Sequence, residues 1–105
     1  MHAAMNLWAY SLAVRGVRLQ EAQKYAEKAV SLSPQDASYQ DTLAWVYYQQ
    51  GKLDRALDLL QNIDYQALLD NAEIAYHLAA VYAALGQKDK AVSLLTKEAA
   101  SWPLS

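Results

Sequence analysis

A stretch of fourteen residues occurs twice in this chain, and that repetition limits what it can fold into more than any other feature. Leu43 to Ala56 reads Leu-Ala-Trp-Val-Tyr-Tyr-Gln-Gln-Gly-Lys-Leu-Asp-Arg-Ala, and thirty-five residues on, Leu78 to Ala91 reads Leu-Ala-Ala-Val-Tyr-Ala-Ala-Leu-Gly-Gln-Lys-Asp-Lys-Ala. Leu43, Ala44, Val46, Tyr47, Gly51 and Ala56 find identical residues in Leu78, Ala79, Val81, Tyr82, Gly86 and Ala91. A fixed period of this length belongs to stacked repeats, because one unit cannot bury its apolar face without a neighbour. A helical-repeat scaffold is the expected object.

The length of 105 residues holds three such units. The hydrophobic fraction of 54%, rich in alanine, supports a packed core and favours closely packed helices. A net charge of −2 and a pI near 5.5 argue against nucleic acid as a partner, which would need a basic surface. The absence of cysteine removes disulfides and thiolate metal sites. No run approaches the roughly 20 apolar residues of a membrane span. Met1-His2-Ala3-Ala4-Met5 is not a signal peptide, which leans the expectation toward the cytoplasm without assigning a compartment.

Along the chain, apolar spacing predicts helices over residues 3–14, 19–32, 37–50, 53–62, 72–85 and 88–101. Met5, Trp8, Ala9 and Leu12 form the apolar face of the first. Leu19, Ala22, Ala26, Ala29 and Val30 form that of the second, with Glu21, Lys24, Glu27 and Lys28 as weakly paired charges opposite. Gly16, Gly51 and Gly86 mark helix ends in the left-handed region that glycine reaches cheaply. Asp36 and Asn71, one period apart, are N-caps. Tyr65 to Leu69 can form a helical turn of its own, and Trp102-Pro103 closes the last helix. His2 falls at a fraying terminus.

In this register the chain resembles the tetratricopeptide repeat family, in the form seen in bacterial members. Leu43-Ala44 with Tyr47, and Leu78-Ala79 with Tyr82, fit the first-helix pattern of that family; Trp8-Ala9 and Leu12 are a looser copy. Ala22, Ala56 and Ala91 take its alanine position on the second helices. Leu60 and Leu95 stand for its aromatic, and Pro34 and Pro103 for its closing proline. Leu68 replaces the middle proline, and the first unit carries one extra residue between Gly16 and Ala22. The resemblance implies an all-α fold, a right-handed superhelical solenoid of three antiparallel helix hairpins. Residues 1–105 would be a single domain with repeats near 3–35, 36–70 and 71–105, an excerpt of a longer array or a unit whose uncapped ends meet another chain.

The resemblance also implies that the first helices of successive hairpins line a concave groove where peptides bind. Residues there not needed for packing are Asn6 and Tyr10, then Ser38, Asp41, Trp45 and Tyr48, then Glu73, Tyr76 and His77. Aromatics with polar tips suit binding, and Asn6 and Asp41 can bond a partner's backbone. Packing between neighbouring first helices is the competing role for Trp45 and Tyr48. Domains of the family that grip acidic chaperone C-termini use lysine and arginine on these helices. Asn6, Tyr10, Asp41, Trp45, Tyr76 and Ala80 offer none, so a neutral or basic protein or peptide is expected.

A scaffold for protein interaction is therefore the leading expectation. Self-assembly through the end hairpins, giving a homo-oligomer, is the alternative, and an RNA-binding helical repeat is a remote third that the acidic pI disfavours. No enzyme is expected: no serine has a credible base and orienting partner, and no phosphate-binding loop occurs. No cofactor is expected. Nor is a metal, since Glu73 and His77 give two ligands on one helix face but no third is evident.

Overall fold

The computed structural model describes the backbone of residues 1–100 and the side chains of residues 1–96. Seven helices follow in order: α1 (His2–Arg15), α2 (Leu19–Leu32), α3 (Ala37–Gln49), α4 (Leu53–Gln61), α5 (Tyr65–Asp70), α6 (Ala72–Ala84) and α7 (Lys88–Ala100), with no strand among the described residues. The fold is the expected all-α solenoid. Helix α1 packs on α2, α3 on α4, and α6 on α7; α1, α3 and α6 also touch in sequence, so the first helices form one continuous wall. Helices α2 and α4 each pack in addition on the first helix of the next hairpin. Ser101 and the Trp102-Pro103 stop lie outside the described residues.

Local chemistry places the helix ends. Asp36 accepts from the backbone N–H of Tyr39, and Asn71 from that of Glu73, so both expected caps satisfy a free first-turn donor. Gly51 and Gly86 both sit at φ 82, and the two turns repeat one bond: the N–H of Lys52 donates to the Tyr47 carbonyl, and that of Gln87 to the Tyr82 carbonyl, each at 2.8 Å. The extra residue of the first unit shows its effect at Arg18, which adopts φ 50 after Gly16 has already taken φ 67. A side chain is disfavoured there by roughly 1–2 kcal/mol. Where the middle unit lacks its proline, Asp64 caps the short helix α5 and Leu68 buries itself in the core. The exit is thus turned by packing instead of by a ring.

The core follows the repeat. Ala22 and Ala56 are fully buried and Ala91 nearly so, where a larger side chain would push the two helices of a hairpin apart. Leu60 is 1% exposed, whereas Leu95, its equivalent one period on, is 42% exposed because no described helix packs beyond α7. Tyr47 and Tyr82 occupy matching surroundings. The Tyr47 hydroxyl donates to Glu27 Oε2 on the preceding second helix and the Tyr82 hydroxyl accepts from Gln61 Nε2, both at 3.2 Å. Arg55 lies 5.8 Å from the ring centre of Tyr47, and Lys90, its counterpart one period later, 5.7 Å from that of Tyr82.

Three expectations are corrected. Trp8 does not share the buried face of Ala9 and Leu12; it is 41% exposed, and its indole N–H donates to Glu21 at 2.8 Å. The charges of α2 do not pair with one another: Glu21 accepts from Trp8, and Glu27 from Gln23 and Tyr47. His2 is held at the start of α1, its Nδ1 2.8 Å from the Tyr39 hydroxyl. No helix among the described residues is long and apolar enough to cross a membrane.

Candidate functional site

The wall of α1, α3 and α6 carries the nine residues expected to form a groove, and they separate into a cavity and an aromatic stack. Asn6, Tyr10, Ser38, Asp41 and Glu73 line a cavity of about 120 Å³, joined by the cap residue Asn71 and by Leu7 and Thr42, which the sequence did not single out. Asn6 and Tyr10 come from α1, and Ser38, Asp41, Thr42, Asn71 and Glu73 lie toward the N-terminal ends of α3 and α6. One or two turns further along, Tyr48 stacks on Trp45 with ring centres 4.3 Å apart and planes 6° apart. Trp45 in turn stacks on His77 at 4.0 Å and 20°. Tyr76 and Tyr10 lie beside the same imidazole at 6.0 and 6.3 Å. Tyr76 is 59% exposed, while Trp45 and Tyr48 are half-buried and pack against the core.

At the junction lies a buried pair. Asp41 and His77 are each only 4% exposed, and His77 Nδ1 lies 2.9 and 3.0 Å from the two carboxylate oxygens of Asp41. An ionised carboxylate only accepts, so the proton sits on Nδ1 and the ring is fixed in orientation. Burial pushes the Asp41 carboxyl above the usual carboxylate range, with the His77 hydrogen bond and charge pulling it partly back and Glu73 adding to the rise. Asp41 therefore already has a partner inside the protein. Of the two residues suited to bond a guest's backbone, Asn6 is the one without a partner: its Oδ1 is buried and makes no hydrogen bond.

The third ligand atom missing from sequence inspection is the Asp41 carboxylate. One atom each from Asp41, Glu73 and His77 lie within 4.8 Å of one another. The pair spans thirty-six residues, one more than the repeat period, so residues one period apart stand side by side on neighbouring helices. That offset was the available signal.

Tyr10 faces the same acidic surroundings. Burial first, then Glu73 through a hydrogen bond and its charge, and lastly Asp41, raise its phenol from 10.0 to about 12. Because the folded value exceeds the unfolded one, the native state holds this proton longer, and stability contributed by Tyr10 is lost as pH climbs from 10.0 toward about 12. Carbon-13 NMR titration of the tyrosine ring carbons is expected to show Tyr10 ionising well above 10.0, toward about 12. The Glu73→Gln variant is expected to bring it back down, and an unchanged titration in that variant would show the two side chains to be independent.

Comparison with known proteins agrees with the register. A family model described as "Anaphase-promoting complex, cyclosome, subunit 3" matches residues 17–98. A TPR repeat-containing protein of Pseudomonas aeruginosa is 39% identical over 77 residues, a match covering 71% of this chain and 12% of that protein. The chain thus spans only a small part of the length of that relative. The extent of the family match, the bacterial relative and the stacked hairpins agree: this chain belongs to the tetratricopeptide repeat family.

Proposed function

We propose that this protein is a non-catalytic scaffold that holds a peptide or a partner's helix along α1, α3 and α6. Family membership points to a protein-interaction module, and the bacterial relative suggests a bacterial setting. The observation that carries the finer reading is the stack of Tyr48, Trp45 and His77 ending beside exposed Tyr76, next to a cavity with buried polar atoms. Flat aromatic surface next to hydrogen-bonding groups provides contact area at low entropic cost. The acidic residues of the wall favour a neutral or basic segment.

A displayed library of twelve-residue peptides, selected on the 105-residue protein, tests this. Selected peptides are expected to lose about ten-fold or more in affinity against Tyr76→Ala, a loss typical of an anchoring aromatic. Trp45→Ala and Tyr48→Ala are expected to weaken both binding and thermal stability, since Trp45 is stacked between Tyr48 and His77 and both side chains remain half-exposed. Peptides that bind all three variants as tightly as the parent would exclude the groove.

A second reading, self-stacking through the last hairpin, is favoured by Val92 and Leu95, both well exposed on α7. Light scattering over a wide concentration range decides it, because a monomer at every concentration has no such contact.

A further inference from the structure

The polar cavity specifies one contact more closely, on the premise that the groove reading holds. Its side chains Asn6, Tyr10, Ser38, Asp41 and Glu73 all present oxygen atoms that accept hydrogen bonds, and none carries a positive charge. Asn6 Oδ1 is buried without a donor. A buried carbonyl oxygen in that state carries its full desolvation penalty until a donor arrives. Among the described residues the only ion pair is that of His77 with Asp41, which leaves the Glu73 carboxylate without a cation.

We infer that the cavity receives one basic side chain of the bound segment, a lysine ammonium or an arginine guanidinium, held by Asn6 Oδ1 and Glu73 with Asp41 behind them. The apolar stem of such a side chain can lie along Leu7 and the Tyr10 ring at the cavity's edge.

Two competing effects are weaker. Helices α3 and α6 begin at the cavity, and each N-terminus carries about half a positive charge. Both ends are already capped, α3 by the acidic Asp36 and α6 by Asn71. A divalent metal could in principle use Asp41, Glu73 and His77, but His77 Nδ1 is engaged by both Asp41 oxygens. A metal bound through Nδ1 would have to break that buried bond, whereas an organic cation needs only carboxylate lone pairs the bond leaves unused.

Peptides selected from the displayed library are synthesised with each lysine replaced by norleucine and each arginine by citrulline, and measured by calorimetry. One basic position is expected to be required, its replacement weakening binding about ten-fold or more. Exchanging lysine and arginine at that position shows which head group is preferred. Glu73→Gln and Asn6→Leu are expected to weaken the basic peptide similarly and to leave the norleucine or citrulline form nearly unchanged.

Peptides that need Tyr76 and Trp45 but no basic residue, or that bind Glu73→Gln as well as the parent, would overturn the cation pocket and leave the groove intact. Peptides indifferent to Tyr76 and Trp45 would remove the groove and the pocket together. Zinc or manganese chloride alone, titrated into the protein, is the last arm. Tight one-to-one uptake that disappears in His77→Gln would make this a metal site and overturn the inference, while no uptake supports it.

Discussion

Replacing His77 by leucine is expected to destabilise the protein by about 3–5 kcal/mol near neutral pH, the range for removing one partner of a buried pair. The leucine fills most of the space but leaves the Asp41 carboxylate, 4% exposed, without the donor 2.9 Å away. The sign of the pH dependence follows from Asp41. Its folded carboxyl already lies above the ordinary 3.8, and losing His77 removes the contribution that lowers it. A carboxyl raised in the fold is protonated there while the unfolded chain has already ionised. Stability is then fully present below 3.8 and is lost as pH rises through the folded value. The variant should therefore melt closer to the parent at pH 4 than at pH 7, as followed by circular dichroism. A double variant, Asp41→Leu with His77→Leu, should recover much of the loss, because no buried charge remains. Equal melting of His77→Leu and the parent at pH 7 would show that the pair contributes nothing.

The second large effect contrasts two equivalent positions. Leu60→Ala is expected to cost about 2–5 kcal/mol, since the side chain is 1% exposed and its removal leaves a cavity that stacked helices close only in part. At about 4–8 °C for each kcal/mol in a domain near this size, the melting temperature falls by roughly 10 °C or more. Leu95→Ala, one repeat later, should cost less than about 1 kcal/mol, because that residue is 42% exposed. Identical chemistry at one motif position thus gives unequal results, set by whether another hairpin covers it. Equal losses at the two positions would mean that α7 is covered in solution, which would favour the self-stacking reading.

The hairpin plan was legible from the chain because its signals are local or periodic. Asp36 and Asn71 cap their helices through bonds that reach two or three residues, and the second helix begins and ends where its apolar spacing placed it. Trp8 and the charges of α2 were misread for a common reason. Helical spacing tells which residues share a face but not how a polar edge such as an indole N–H competes for a nearby carboxylate. His2 was misread because its partner, Tyr39, lies thirty-seven residues away.

The repeat of Leu43–Ala56 in Leu78–Ala91 by itself determined that units stack, where alanines must be small and where turns need glycine, since those demands come from backbone geometry and a fixed period. Tertiary structure alone decided that Asp41 is consumed by His77, that Trp45 lies sandwiched between Tyr48 and His77, and that Asn6 Oδ1 is buried without a donor. The period brings Asp41 and His77 onto neighbouring first helices. The 2.9 Å between them, the ring stacking and the burial of Asn6 Oδ1 depend on how closely those helices pack, which spacing along the chain does not encode.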